Sequence, residues 1–150
     1  MSIKVTVSMS PLVPRGEDAA RKAARAVFAE LFGRYQDALG RKAWQWPRQT
    51  LRRGFGGGVK EVAGSPRNIV DTGLLRASGG YQFIGDFACQ YQWTQPYAKA
   101  IHDGAVLRNG GIIPARPWTS AVNGTYTGSA IPPYPMTERM ESVFLRYFLQ

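Results

Sequence analysis

The chain has 150 residues and 44% apolar side chains, enough for the core of one domain, and no apolar run approaches the roughly 20 residues that cross a bilayer. Its single cysteine, Cys89, and single histidine, His102, exclude an internal disulfide and a zinc site built from Cys or paired His ligands, so we expect neither a metal nor a cofactor. The formal net charge of +9 predicts attraction to something acidic, either a nucleic acid or a protein surface.

A strand and a long helix are predicted at the start of the chain. Apolar and polar residues alternate from Ile3 to Val7, which is typical of a half-buried strand. From Glu17 to Leu39 apolar residues recur every three or four positions, which predicts an amphipathic helix of about six turns that ends at Gly40. We interpret its polar face as solvated, or alternatively as part of a subunit interface. The basic residues on this face are Arg21, Lys22, Arg25 and Arg34.

The segment from Lys42 to Pro66 is rich in glycine and arginine and cannot form a core by itself. We therefore expect a long loop, mobile near residues 47–66. It is either a solvent-exposed excursion or an arm that orders against a neighbouring subunit or an acidic partner. Eight basic and two acidic residues lie between Arg41 and Arg76. The candidate binding residues of this basic loop are Arg48, Arg52, Arg53, Lys60 and Arg67.

Nucleic-acid binding is the alternative function for residues 41–67. Trp44, Trp46 and Phe55 alternate there with basic residues, and this mixture supplies base stacking together with phosphate neutralisation. However, no helix-turn-helix, zinc-finger or RNA-recognition signature accompanies it. A tryptophan beside a proline also serves to hold a loop against a core.

A helical turn and a hairpin are predicted next. Asp71 or Thr72 would cap a turn over residues 74–77 by accepting its free amide hydrogens. Two alternating segments joined near Gly85 and Asp86 then predict a pair of antiparallel strands. Cys89 falls among the apolar positions of the second strand, so we interpret it as an inert core residue rather than a nucleophile.

The last third of the chain predicts short elements and a final helix. Pro96 would start a short helix over residues 97–102, and Asn109-Gly110-Gly111 predicts a hairpin between residues 105–107 and 112–114. A helical turn over residues 117–122 and an exposed, mobile loop near 123–136 follow. Thr137 is predicted to cap the C-terminal helix.

The signals for catalysis are weak. His102 and Asp103 would be a base and its orienting residue, with Ser78 or Ser120 as the nucleophile, but no nucleophile motif accompanies them. The glycine run at residues 54–58 lacks the spacing of a phosphate-binding loop. We therefore expect no catalytic residues, and we interpret His102 as a structural hydrogen-bonding residue rather than part of an enzyme.

Three short segments occur in order after the long helix: D-T-G-x-L-R-x-S from Asp71 to Ser78, P-Y-A-x-x-I-H-x-G from Pro96 to Gly104, and I-P-A-R-P-W from Ile113 to Trp118. In this order they resemble the head–tail joining proteins of tailed bacteriophages, also called neck, tail completion or minor tail proteins, and the related virion morphogenesis proteins. The resemblance covers about residues 1–122.

The resemblance implies an α+β fold in one domain, with a small antiparallel sheet packed by a long N-terminal helix, short helices and a C-terminal helix. It also implies a structural virion protein of the neck or tail, assembled in the host cytoplasm, with no enzymatic activity and no membrane partner. Such proteins form homo-oligomeric rings, commonly hexameric, between the capsid connector and the tail, and DNA passes through the lumen. Tail completion and tail terminator roles both fit this description.

The same resemblance assigns roles to residues of the three segments. Arg76 and Arg116 would hold a carboxylate or backbone carbonyls, with Asp71 as one candidate partner; alternatively, both are isolated surface arginines. Tyr97, Ile101 and Trp118 would pack in the core beside the sheet. The full set of motif or subunit-interface residues is Asp71, Thr72, Gly73, Arg76, Pro96, Tyr97, His102, Gly104, Pro114, Arg116, Pro117 and Trp118.

Overall fold

A three-stranded antiparallel sheet forms one layer of the fold in the computed structural model, which describes residues 2–8, 16–44, 51–53, 59–61, 73–108 and 110–150. The spatial order is β1 (Ile3–Ser8), β5 (Ala88–Trp93) and β4 (Gly79–Gly85). Val5 lies opposite Tyr91, and Tyr91 lies opposite Tyr81, so the three strands share one register. The predicted N-terminal strand and hairpin are both confirmed.

The helix α1 (Glu17–Leu39) crosses one face of this sheet and has the bounds that the sequence predicts. Its apolar positions are buried, and Phe28, Leu31 and Tyr35 are at most 1% exposed. Across from them, Cys89, Tyr91 and Trp93 alternate along β5 with half-buried residues, as expected for a sheet with one covered face. The α+β fold class is therefore confirmed, and Cys89 is the buried core residue that the sequence predicts.

The polar face of α1 carries ion pairs one turn apart. Arg21 lies 2.8 Å from Glu17, and Lys22 lies 3.2 Å from Asp18. All four side chains are more than two-fifths exposed, so these pairs contribute little to the free energy of unfolding. The structure agrees with the solvated interpretation of this face.

The C-terminal helix α5 (Met136–Phe148) packs along α1. Arg139 donates from Nη2 to Glu30 at 3.0 Å, which connects the two helices. The expectation that Thr137 caps α5 is wrong. Pro135 holds the N-cap position, and its carbonyl accepts the helical hydrogen bond from the amide of Arg139, so Thr137 already lies inside the helix.

Three helices of less than two turns complete the described helical structure: α2 (Leu74–Ala77), α3 (Ala98–Asp103) and α4 (Trp118–Val122). Each begins within one residue of its predicted start. A small hairpin, β6 (Ala105–Val106) and β7 (Ile112–Ile113), joins α3 to α4 as predicted.

Two loop expectations need correction. Within the predicted loop at residues 42–66, Lys42–Trp44 forms a 3₁₀ turn, and β2 (Leu51–Arg53) pairs with β3 (Val59–Glu61). Residues 123–135 have no helix or strand, but Ile131 and Tyr134 are only 8% and 9% exposed. That loop is therefore partly a component of the core rather than wholly exposed.

Candidate functional site

The three segments that carry the resemblance meet at one end of the sheet, where β5 ends at Trp93. The ring of Trp118 lies edge-on to Trp93, with centroids 5.5 Å apart, and edge-on to His102, at 4.9 Å. Trp93 and Trp118 are fully buried, and His102 is 9% exposed. We call the described part of these segments, residues 73–78, 96–104 and 113–118, the motif corner.

The imidazole of His102 connects α3 to α4. Its Nδ1 lies 2.6 Å from the Oδ1 atom of Asp103, and its Nε2 lies 2.8 Å from the hydroxyl of Thr119. Because a carboxylate only accepts, the neutral ring carries its proton on Nδ1 and accepts from Thr119 at Nε2. The hydrogen bond from His102, followed by the one from Lys99, holds the pKa of Asp103 below its ordinary value.

Carboxylate, imidazole and hydroxyl follow one another here in the order of a hydrolytic triad. The hydroxyl of Thr119 is nevertheless inside the protein, because the residue is only 3% exposed and a substrate would have little access to it. Ser78, one of the predicted nucleophiles, donates its hydroxyl to the carbonyl of Leu75 at 2.8 Å. The geometry supports a structural connection between two short helices.

The second and third segments are also joined through their backbones. The amide of Arg116 donates to the carbonyls of Ile101 and His102, both at 3.1 Å. Gly104 has φ of +81°, and a Cβ atom there would come within 3.0 Å of the amide nitrogen of Ala115 and the carbonyl oxygen of Ile113. Glycine is therefore needed at this position for two reasons, its backbone conformation and the close approach of the next segment.

The first segment is attached through Gln36 of α1. Its amide nitrogen donates to the carbonyl of Arg76 at 2.9 Å, and its amide oxygen accepts from the indole of Trp93 at 3.1 Å. Leu75 adds a buried side chain, 3% exposed. Sequence reasoning missed both Gln36 and Thr119, since neither lies in a recognisable motif and only the fold brings them to their partners.

The two arginines of the motif corner differ in their surroundings. The Arg76 side chain is 48% exposed, and its Nη2 lies 3.9 Å from Asp37 of α1. Its candidate partner Asp71 lies outside the described residues, as does Thr72, and Gly73 holds the N-cap of α2 with φ of +78°. Arg116 is only 6% exposed, so the alternative of an isolated surface arginine is wrong for it.

Of the three residues of the motif corner that were predicted to lie in the core, one is exposed. Trp118 is buried as predicted, and Ile101 is half-buried against the core. Tyr97 is 39% exposed, so its core assignment is wrong. The buried side of α3 is formed by Ala98 and His102, one turn apart, whereas Tyr97 is the N-cap residue that precedes them.

The prolines of the motif and subunit-interface set lie at element boundaries: Pro96 lies in the turn before α3, Pro114 follows β7, and Pro117 is the N-cap of α4.

Little of the basic loop can be placed. Arg48 and Arg67 lie outside the described residues, Arg52 belongs to β2 with Arg53, and Lys60 belongs to β3. Trp44 is 4% exposed, and its ring centroid lies 6.1 Å from that of Tyr126. This burial corrects the idea that Trp44 offers its ring to a nucleic-acid base. The tryptophan beside a proline, Trp46, lies outside the described residues.

Exposed large apolar side chains form three groups on the described surface, and Leu74, Tyr97 and Tyr126 are exposed singly elsewhere. The first is the β6–β7 hairpin, the second is the edge strand β4, and the third is the end of α5. The exposed residues at these places are Val106, Leu107 and Ile112; Tyr81, Phe83 and Ile84; and Leu145, Phe148 and Leu149. Contiguous exposed apolar groups of this kind are typical of protein–protein contacts.

Comparisons with models of known protein families, with curated proteins and with solved structures gave no match to this chain. Among the described residues, no group of three or more His, Cys, Asp or Glu side chains is placed to hold a metal ion. No helix in the described ranges has the length and apolar character needed to cross a membrane.

Proposed function

We propose that this chain is a structural virion protein of the phage head–tail interface, a neck or tail completion protein that forms a homo-oligomeric ring between capsid connector and tail. One observation carries the proposal. The second and third segments of the resemblance, separated in sequence, bond to each other directly, the first is attached to the same end of the sheet through Gln36 of α1, and the described polar groups of the motif corner bond to groups of the protein.

This arrangement supports a structural role rather than a catalytic one. The bonds of His102, Asp103 and Thr119 fix α3 against α4, and Gln36 fixes the first segment against the end of β5. Exposed apolar groups then lie on different elements of the unit, the β6–β7 hairpin, β4 and α5. A subunit with two different contact surfaces associates head-to-tail, and such contacts close into a ring when the rotation between neighbours permits.

We assign the positive charge of this chain a role in binding the neighbours of the ring. Because the basic excess is concentrated between Arg41 and Arg76 rather than along one helix, it would attract acidic surfaces of the connector or the tail, or ease the passage of DNA through the lumen. Buried apolar area would supply most of the affinity, and charge would set the orientation of the neighbours.

Two measurements test the proposal. Sedimentation of the purified chain should show a discrete oligomer, and particles of the phage that encodes it should contain the chain at the junction of head and tail by electron microscopy. Particles made without it should accumulate heads and tails that are not joined. A chain that is monomeric at every concentration and absent from purified particles overturns the proposal.

A triple variant separates the role of the basic loop from nucleic-acid binding. Replacing Arg48, Arg52 and Arg53 with Ser should weaken joining of heads to tails. A chain whose function is to bind DNA would instead show affinity that falls steeply with salt and is lost in this variant. If DNA binding disappears and joining is unaffected, the protein-contact role of this loop is wrong.

A further inference from the structure

A cavity of about 230 Å³ lies between the second half of α1 and residues 131–135, the segment that leads into α5. We call it the strap pocket, and we call residues 131–135 the strap. Its apolar lining includes Ala38, Val122 and Ile131, which are at most 8% exposed. The volume is below the roughly 300–1,000 Å³ of typical small-molecule sites, so the strap pocket is suited to a single amino-acid side chain.

The strap is a rigid wall of this pocket. Three of its five residues are prolines, whose rings fix the backbone angle φ. Ile131 and Tyr134 anchor it in the core, and the amide of Tyr134 donates to the carbonyl of Val122 at 2.7 Å. A ligand therefore meets a wall that is already formed, and little conformational entropy is lost on binding.

Two arginines line the strap pocket. Arg34 lies on α1, and its guanidinium carbon is 6.0 Å from the ring centroid of Tyr134, which positions it beside the strap. Arg41 follows the end of α1 and is exposed. Within the described part of the chain, the side chain of Arg41 has no ion pair or hydrogen bond, so its guanidinium is available to a ligand.

The neighbouring carboxylate of Glu30 does not neutralise Arg34. One of its oxygens accepts from Nε and Nη2 of Arg139, at 3.3 and 3.0 Å. Nη2 of Arg34 lies 4.0 Å from the other oxygen, and the Arg34 side chain is 53% exposed. At that distance and exposure the attraction is weak, so Arg34 keeps its capacity to bind an anion.

Asp37 is the one carboxylate among the described residues that line the strap pocket. Its side chain is 62% exposed and lies 3.9 Å from Arg76. Four arginines and two carboxylates therefore lie along this side of α1, which leaves a net charge of +2. The charged groups counted are Arg34, Arg41, Arg76 and Arg139, with Glu30 and Asp37.

This combination of charge and shape selects the class of ligand. A guanidinium binds a carboxylate through paired N–H donors, and the apolar lining takes an apolar side chain. A nucleic acid would instead need an open basic groove with exposed aromatic faces for its bases, whereas Tyr134 is only 9% exposed.

We propose that the strap pocket binds an acidic peptide segment of a partner protein. An apolar side chain of the segment enters the cavity, and an adjacent Glu or Asp carboxylate lies between Arg34 and Arg41. The inference rests on the proposed function in that the partner is a connector or tail protein beside the ring. It gives the attraction between this basic chain and an acidic neighbour a defined place.

Titration with a defined peptide tests the pocket. The probe is a peptide, blocked at both ends, in which a leucine is followed by two glutamates; its control has glutamines in their place. In the ¹⁵N-labelled chain, the Nε–Hε signals of Arg34 and Arg41 should shift as the acidic peptide is added. The signal of Arg108, an exposed arginine in the connection between β6 and β7, should not shift. The glutamine peptide should leave all three signals unchanged.

Variants at exposed positions change the affinity in opposite directions. Arg34→Gln and Arg41→Gln should each weaken binding of the acidic peptide about five- to tenfold, because each removes charge-assisted hydrogen bonds to its carboxylate. Asp37→Asn should strengthen binding about two- to fivefold, because it removes a repulsive carboxylate from the pocket. Arg108→Gln removes the same charge outside the pocket and is the matched control, with affinity nearly unchanged. Circular dichroism confirms that each variant is folded.

Three results would overturn the inference. One is equal binding of the acidic and glutamine peptides. Another is an equal effect of Arg41→Gln and Arg108→Gln, which would show a response to net charge alone. The third is a single-stranded DNA oligonucleotide that shifts the signals of Arg34 and Arg41 when the peptide does not, since a nucleic acid would then be the ligand.

The peptide titration and the particle experiments separate this inference from the proposed function. If the peptide does not bind and the chain still joins heads to tails, the pocket assignment is wrong while the proposed function stands. If the peptide binds with the expected variant pattern and the chain is monomeric and absent from particles, the pocket stands, and the proposed function fails together with the partner that it names.

Discussion

The Nε2 atom of His102 lies at a hydrogen-bond distance of 2.8 Å from the hydroxyl of Thr119, seventeen residues further along the chain. The same imidazole donates from Nδ1 to Asp103, so its orientation is fixed from both sides. Two helices of six and five residues, neither of which would be stable alone, are held together in this way around the ring of Trp118.

Replacing Thr119 with Val should therefore lower the free energy of unfolding by about 1–3 kcal/mol, because a buried nitrogen of His102 loses its partner while the side-chain volume is kept. Urea denaturation measures the change. Thr119→Ser keeps the hydroxyl and is the control. The ¹⁵N chemical shift of His102 Nε2, which reports its hydrogen bond, should change in the Val variant and remain unchanged in the Ser variant. A Val variant as stable as the wild type contradicts the role assigned to this bond.

Gly104 and Gly110 allow a matched pair of substitutions. Both have positive φ, +81° and +80°, but a Cβ on Gly104 meets two backbone atoms at 3.0 Å, whereas one on Gly110 has open space. Gly110→Ala should lower the free energy of unfolding by about 1–2 kcal/mol from backbone strain alone. Gly104→Ala should cost about 1–3 kcal/mol more, because the second and third segments are pushed apart.

Thermal and urea unfolding of the two variants provide the comparison. Equal losses at the two positions would show that the contact of Gly104 with Ala115 and Ile113 is unimportant. Because the Gly110 variant leaves the motif corner untouched, only the Gly104 variant should also alter the near-ultraviolet signal of the buried Trp93 and Trp118.

The bounds of α1 could be predicted because its signals are local. Twenty-three residues repeat one apolar pattern, acidic residues occupy the first turn, and Gly40 follows the last helical residue. The alternation in β1 and β5 is equally local, since it depends on which residues face one covered side of a sheet. Elements of this kind are recognisable before any tertiary contact is known.

The motif corner could not be predicted in the same way. The resemblance implies that Tyr97 packs in the core, and α3, with six residues, is too short for a period of 3.6 to identify its buried side and correct that assignment. The burial of Arg116 and the bonds of Gln36 depend on where distant segments meet. The order of the three segments in the sequence indicates that they belong together. Which residues of these segments contact each other is known only from the fold.

Asp103 should make the stability of the protein sensitive to acid. Its folded-state pKa is below the ordinary 3.8, chiefly through the hydrogen bond from His102. A lowered pKa contributes stability that is present above the ordinary value and lost as the pH falls through the folded value. In Asp103→Asn the decline of the urea midpoint between pH 5 and pH 3 should therefore be shallower than in the wild type.

Lys99→Gln is the graded control for this prediction, because it removes the second contribution to the shift and leaves the bond to His102 in place. Its urea midpoint should decline with a slope between those of the wild type and Asp103→Asn. Identical slopes for all three proteins would show that this carboxylate is not coupled to folding.

Buried tyrosines should limit stability at the alkaline end. Burial raises the pKa of Tyr35 well above its ordinary 10.0, against the opposing effect of the 2.6 Å bond that its hydroxyl donates to Asn123. Burial likewise raises the pKa of Tyr91, and that of Tyr134 to about 12. A raised pKa contributes stability that is complete below the ordinary value and lost as the pH rises through the folded value, so unfolding should become easier above about pH 10.

Tyr35→Phe removes one of these titrations. At neutral pH the variant should be about 0.5–1.5 kcal/mol less stable than the wild type, because the bond to Asn123 is lost. Between pH 9 and pH 11 its stability should decline less steeply, and the double variant with Tyr91→Phe should decline less steeply again. Urea midpoints across this range, with tyrosinate absorbance as a second signal, measure both effects. If the single variant declines as steeply as the wild type, the buried phenol of Tyr35 is not what couples alkaline pH to unfolding.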